Sequence, residues 1–65
     1  TTKEVRDKPG EGITLNNIGN VYNNLGQYAQ ALKYYEQALS IHKDVGNKLM
    51  EGTTLSNIGV IFSNF

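Results

Sequence analysis

The chain has 65 residues, of which 38% are apolar, and it contains no cysteine. A core of this size supplies only about 3–5 kcal/mol, and without cysteines neither a disulfide nor a thiolate metal site reinforces it. Six basic and six acidic side chains give a net charge of zero, so we expect no nucleic-acid partner. No apolar stretch approaches the roughly 20 residues of a membrane span, so we expect no membrane partner either.

The sequence says little about cellular location or about the ends of the chain. The absence of cysteine fits any compartment, and our expectation is a cytoplasmic location. Because the sequence lacks an initiator methionine and stops on Phe65 directly after an apolar run, we expect a segment of a longer polypeptide.

An internal repeat is the clearest feature of the sequence. A shift of 40 residues aligns residues 1–25 with residues 41–65, and 11 of these 25 positions are identical. A period of about 20–50 residues is typical of solenoids, in which each unit buries its apolar face on the next. The identical positions of the first copy are Lys3, Val5, Lys8, Glu11, Gly12, Thr14, Leu15, Asn17, Ile18, Gly19 and Asn24. The chain therefore holds about one and a half units.

The first predicted helix covers residues 8–25. Its apolar residues recur every three or four positions, which indicates an amphipathic helix. Asp7 is a suitable N-cap, and Gly26 suits the left-handed position after the last turn. By the repeat, residues 1–7 are predicted to be the tail of a preceding helix and a turn.

The second predicted helix covers residues 27–45, again with three-four spacing, and ends at Gly46. Asn47 is the predicted cap of a third helix that runs from residue 48 to the end of the chain, in the unit 47–65. No segment has the pattern of a strand. The predicted fold class is all-α: an antiparallel helix hairpin over residues 8–46, plus a third helix that begins the next unit.

Glycines inside the helices predict a close helix crossing. Gly19 recurs at Gly59, and each costs about 1 kcal/mol relative to alanine in a helix interior. Ala31 and Ala38 occupy the apolar stripe of the second helix, so small residues meet from both sides. The alternative is that Gly19 is merely tolerated.

Twelve residues at fixed spacing resemble the tetratricopeptide repeat. They are Leu15, Ile18, Gly19, Tyr22, Leu25, Gly26, Tyr28, Ala31, Leu32, Tyr35, Ala38 and Leu39. The resemblance covers essentially the whole chain. It implies an α-solenoid that binds proteins or peptides and performs no chemistry of its own, and therefore no enzyme, no cofactor and no metal.

Two departures from the family pattern are informative. The period is 40 residues in place of about 34, and Lys43 stands where the family usually has a proline. Longer second helices of this kind resemble the subclass found in kinesin light chains, spindle-orientation adaptors and many bacterial signalling proteins.

A polar, uncharged face is predicted to bind a peptide. Five asparagines lie opposite the apolar stripe of the first helix, although asparagine is a mediocre helix former. A carboxamide both donates and accepts, so a row of them can pair with the backbone of an extended peptide. The predicted peptide-binding residues are Asn16, Asn17, Asn20, Asn23, Asn24, Ser56, Asn57, Val60 and Asn64. The alternative is a solvated face without a ligand.

The resemblance adds two expectations about the ligand. Asn17 and Asn57 match the asparagine that grips the ligand backbone in adaptors of this family. Segments 13–25 and 53–65 contain no basic residue, so we expect no clamp for a terminal carboxylate.

A second hypothesis is self-association. The third helix has no following helix to cover its apolar stripe, which consists of Leu55, Ile58, Phe62 and Phe65. A second copy would cover it by end-to-end stacking or by exchange of the third helix, with Gly46–Asn47 as the hinge.

Catalytic and metal-binding patterns fail on spacing. Ser40, His42 and Asp44 have the composition of a catalytic triad, but on one helix they point in different directions and cannot converge. Residues three and four positions from His42 offer no metal ligand, so a partly buried structural histidine is predicted.

Overall fold

The computed structural model describes the backbone of residues 2–64 and the side chains of residues 8–64. It contains α1 (Thr2–Asn24), α2 (Tyr28–Val45) and α3 (Lys48–Asn64), and no strand occurs within the described backbone. The all-α prediction is confirmed. The predicted starts of α2 and α3 agree with the structure to within one residue.

The start of α1 differs from the prediction. Residues 2–7 are continuous with the helix and form no turn, so Asp7 lies inside α1 and not at its cap. The reason lies at Arg6, which the repeat aligns with Gly46. A left-handed conformation costs a non-glycine residue roughly 1–2 kcal/mol, and the chain remains helical at this point.

The two connections between helices use left-handed glycines, as predicted. Gly26 has a φ of 78° and Gly46 a φ of 74°, a region that glycine enters without steric cost. The N–H of Gln27 donates to the carbonyl of Tyr22 at 2.9 Å, and the N–H of Gly26 donates to Asn23 at 3.0 Å. This pair of bonds is the Schellman motif, which satisfies the last carbonyls of a helix.

The second connection repeats the motif and then starts α3. The N–H of Asn47 donates to His42 at 2.8 Å, and the N–H of Gly46 donates to Lys43 at 3.3 Å. The Asn47 side-chain oxygen accepts from the N–H of Met50 at 3.1 Å, which confirms the predicted cap. Connections this short make successive helices antiparallel.

α1 and α2 cross so closely that two positions on α1 require glycine. A Cβ on Gly19 would lie 2.6 Å from the Tyr35 ring, and one on Gly12 would lie 2.9 Å from the His42 imidazole. Tyr35, Ala38 and His42 are fully buried on the facing side of α2. The predicted close crossing is confirmed for Gly19, and the structure gives Gly12 the same role.

The core lies where α2 meets both of its neighbours. Ala31 and Tyr35 of α2 form a fully buried cluster with Ile61 of α3. On the α1 side, Tyr22 stacks on Tyr34 with ring centroids 5.5 Å apart and planes at 5°. Aromatic stacking adds to the stabilisation from buried area. α2 is therefore the central element, and α1 and α3 pack on it from two sides.

The space around the recurrent glycines of α3 is empty. Nothing lies within 4 Å of a Cβ built on Gly52 or on Gly59, so neither glycine has a packing role among the described residues. Along residues 2–64, no helix is both long enough and apolar enough to cross a membrane.

Gly19→Ala is expected to destabilise the protein, whereas Gly59→Ala is not. The added methyl at position 19 meets the buried Tyr35 ring at 2.6 Å, and such overpacking costs typically about 1–3 kcal/mol. The methyl at position 59 meets nothing, and the change gains up to about 1 kcal/mol of helix propensity. Urea unfolding followed by circular dichroism measures both. Equal effects of the two substitutions would contradict the close crossing.

Candidate binding face

The asparagine face is defined as Asn17, Asn20 and Asn24 of α1 together with Asn57 and Asn64 of α3. Asn17, Asn24 and Asn64 are exposed, whereas Asn20 and Asn57 are half-buried. The Asn57 amide nitrogen donates to the Asn20 side-chain oxygen at 3.4 Å. The structure thus brings Asn20 and Asn57, one from each copy of the repeat, into contact where α1 meets α3.

Asn16 was predicted to lie on this face, but the structure buries it. Its exposed fraction is 4%. Its side-chain oxygen accepts from the hydroxyl of Thr54 at 3.1 Å and from the Asn57 amide at 3.3 Å. α1 contacts α2 on one side and α3 on the adjacent side, so its buried face is wider than the single apolar stripe of the sequence. Asn16 fills the α3 side of that wider face.

The hydroxyl of Tyr35 lies among polar groups of α1. It donates a hydrogen bond to the side-chain oxygen of Asn20. Burial raises the pKa of Tyr35 above its ordinary value of 10.0, and a hydrogen bond with Asn23 acts in the opposite direction. Asn23 is half-buried. Asn20 and Asn23 of α1 therefore both lie beside the buried phenol of Tyr35 on α2.

The part of the surface on α3 is less polar and more exposed than the part on α1. Ser56 and Val60 are exposed, and Val60 stands where the repeat places Asn20. An open depression of about 490 Å³ lies on α3, lined by Lys48, Leu49, Gly52, Thr53, Ser56 and Asn57. It brings the predicted residues Ser56 and Asn57 together beside an apolar side chain and a cation.

The helical segments that carry the asparagine face are uncharged, although Lys48 lines the same depression as Asn57. Segments 13–25 and 53–64 carry no charged residue. Lys8 and Asp44 form an ion pair at 3.7 Å with both side chains well exposed, a geometry of little energetic value. The recognition chemistry that this face offers is that of neutral amides and hydroxyls.

The residues of the apolar stripe predicted to drive self-association differ in their exposure to solvent. Leu55 and Phe62 are 49% and 61% exposed, whereas Ile58 is half-buried and packs against the core cluster. Ile58 faces the neighbouring helices because α3 packs on α2 through that side. Phe65 lies outside the described residues.

His42 is more deeply buried than predicted. It has no exposed surface, and neither imidazole nitrogen has a hydrogen-bond partner. Ser40 and Asp44 are exposed, so the three residues do not converge. Among the described side chains, no three histidine, aspartate or glutamate residues are grouped to hold a metal ion.

An antiparallel helix hairpin followed by a copy of its first helix defines an α-helical repeat protein. The family model of the tetratricopeptide repeat matches residues 10–64. The chain belongs to the tetratricopeptide repeat family, whose members generally mediate protein–protein interactions. Neither a curated protein nor a solved structure matches the chain.

The sequence did not predict the buried residues that hydrogen-bond to the asparagines of α1. Thr54 has no exposed surface and donates to Asn16, and the Tyr35 hydroxyl reaches Asn20. Thr54 is identical to Thr14 in the repeat, which marks it as a recurrent position. A helical pattern gives no information about a contact between α1 and α3, so this partner was not predictable.

The stability of the protein is expected to fall above about pH 10, and Tyr35→Phe should weaken this dependence. Because the pKa of Tyr35 is higher in the folded chain, the unfolded chain loses the phenol proton at a lower pH. The contribution of Tyr35 to stability is therefore complete below the pKa of the unfolded chain. It is lost as the pH rises through the pKa of the folded chain. Near pH 8, loss of the hydrogen bond should cost about 1 kcal/mol. Urea unfolding at a series of pH values measures the free energy of unfolding of the parent chain and of Tyr35→Phe. The difference between the two should narrow with rising pH. A constant difference would contradict the assignment.

Proposed function

We propose that this chain is a protein-interaction module that binds an extended, uncharged peptide segment along the asparagine face. Binding is its whole mechanism, and no residue acts as a catalyst. The observation that supports the proposal is the contact between Asn20 of α1 and Asn57 of α3, two segments that carry no charge. Residues 13–25 and 53–64 supply this surface without a single charge.

The exposed amides are suited to a peptide backbone. Asn17, Asn24 and Asn64 are open to solvent, and each carboxamide offers two donors and one acceptor oxygen. An extended peptide presents N–H and C=O groups in alternation, which such amides can satisfy without any charge. Asparagine costs a helix roughly 0.5–0.7 kcal/mol relative to alanine. Hydrogen bonds within the protein account for Asn16 and Asn20, and a ligand would account for the exposed Asn17 and Asn24.

The depression on α3 adds a place for a side chain of the ligand. Leu49 gives it an apolar side chain, and Ser56 and Asn57 give it polar ones. Lys48 also lines it. A ligand backbone on the asparagines would place an uncharged side chain in this depression.

We also propose that the chain belongs to the subclass with a 40-residue period and acts in the cytoplasm as an adaptor. The offset of 40 residues between identical positions supports the subclass, as do the 18 residues of α2.

Asn17→Ala is expected to weaken peptide binding without changing stability. A display library of uncharged peptides supplies the ligand, and fluorescence anisotropy measures its affinity. Removal of one amide contact, worth about 0.5–1.5 kcal/mol, should lower affinity about two- to twelvefold. Gln37→Ala is the matched control, because Gln37 is an exposed amide on α2. Equal losses in both variants, or no selected peptide, would contradict the proposal.

Self-association is a second candidate function, favoured by the exposed apolar side chains of α3. Leu49 is 79% exposed, Leu55 49% and Phe62 61%, which is a large apolar area for one short helix. Gly52 and Gly59 lie open between them. A second copy packed against α3, or an exchange of α3 about Gly46–Asn47, would cover this area.

Phe62→Asp is expected to dissociate any such assembly. A charge placed in an apolar contact must be desolvated on association, so the solution mass should fall to that of a monomer. Light scattering across a concentration series gives the mass. Ser40→Asp adds the same charge on the exposed side of α2 and should leave it unchanged. A monomeric parent chain at all concentrations would overturn this candidate.

A further inference from the structure

His42 is a buried ionisable side chain that has no part in the asparagine face. It has no exposed surface, and neither its Nδ1 nor its Nε2 has a hydrogen-bond partner. A neutral imidazole carries one N–H donor and one acceptor nitrogen, and each costs free energy when it is buried without a partner. An apolar side chain of similar size would avoid this cost, so packing alone does not explain a histidine at this position.

The imidazole lies at one of the two tight contacts between α1 and α2. A Cβ on Gly12 would lie 2.9 Å from the Cε1 of His42 and 3.0 Å from its Nδ1. The backbone of α1 therefore covers one edge of the ring. No room remains between Gly12 and the ring for a group that could solvate a charge.

The charged side chains around this end of the hairpin do not neutralise a protonated ring. Among the described side chains they are Lys8 and Glu11 of α1, Lys43 and Asp44 of α2, and Lys48 and Glu51 of α3. None of them hydrogen-bonds to His42, and all are exposed except Glu51, which is half-buried. Lys8 and Asp44 pair with each other at 3.7 Å. Three cations and three carboxylates supply no net countercharge.

We propose that protonation of His42 opens the crossing of α1 and α2, so that the hairpin closes only around a neutral imidazole. An imidazolium has two N–H donors and a full charge, and a charge buried without partners is strongly unfavourable. The charged ring is stable only in contact with water, and α1 must separate from α2 at Gly12 to admit it. The close crossing is therefore sensitive to acid.

The composition of the chain allows this effect to be assigned to one residue. The chain has a single histidine and no cysteine. Histidine changes its charge between pH 5 and 8, whereas the ordinary pKa values of carboxyl, tyrosine and lysine side chains lie outside this range. A change in stability between pH 7.5 and 5.5 that disappears with the imidazole therefore reports on His42.

Opening of the crossing would also separate the two helices that carry the asparagine face. Asn16 lies one turn beyond Gly12 on α1 and contacts Thr54 of α3 at 3.1 Å. A displacement of α1 from α2 would break this contact. The consequence for a ligand rests on the proposed function, whereas the opening itself is measured without a ligand.

Urea unfolding of the parent chain and of His42→Gln, at pH values from 7.5 to 5.5, tests the proposal. The unfolded chain binds a proton that the folded chain excludes, so stability is complete above the ordinary histidine range and is lost as the pH falls. The folding equilibrium constant of the parent chain should fall about tenfold between pH 7.5 and 5.5. That of His42→Gln should stay constant. The same pH dependence in both chains, or none in the parent chain, would overturn the proposal.

Two further variants separate the burial of the ring from the presence of a histidine. His42→Leu removes both unpaired nitrogens and should also be insensitive to pH in this range, and it replaces His42→Gln in the comparison if that variant does not fold. Ser40→His, added to His42→Gln, moves the titrating group to an exposed position on α2. It should not restore the pH dependence. If it does, burial at the crossing is not the cause, and the proposal fails.

Discussion

The ring of Tyr35 can lie on α1 because residue 19 has no side chain, and this contact sets the distance between the first two helices. The same approach brings the tyrosine hydroxyl to Asn20 at the edge of the asparagine face. Asn20 in turn accepts from Asn57 of α3. A single close crossing therefore connects the core of the hairpin to the surface proposed to bind a peptide and to the next unit of the repeat.

The contact between α1 and α3 is polar, although apolar side chains at this contact would avoid the cost of burying polar groups. Buried amides and hydroxyls are costly unless each finds a partner, and Asn16 and Thr54 meet that condition by pairing with each other. Apolar side chains of similar volume would stabilise the contact without fixing any orientation. Directional bonds between Asn16, Asn20 and Asn57 give a defined arrangement, because misplacing any one of them leaves another unsatisfied.

Features that depend on neighbours in sequence were predictable, and features that depend on distant contacts were not. The left-handed Gly26 and Gly46 and the cap at Asn47 follow from local chemistry, and the structure confirms them. The burial of Asn16 and the donor role of Thr54 depend on how α3 crosses α1. A helical wheel of α1 contains no information about that crossing, so it placed Asn16 on the wrong side. The prediction for the start of α1 was wrong for a local reason: the repeat was extended to Arg6, which stands where the next copy has the turn glycine Gly46.

The lack of charge along the asparagine face would also determine how fast the proposed peptide reaches it. Long-range steering of an approaching molecule requires a field, and screening by salt changes association rates only where such a field exists. The charges of this chain lie outside residues 13–25 and 53–64, and they sum to zero. A partner of the proposed face would therefore reach it by unassisted diffusion, at the moderate rates typical of uncharged surfaces. A change in ionic strength would leave that rate nearly constant, so such a complex would be regulated through its lifetime or through the local concentration of the partner.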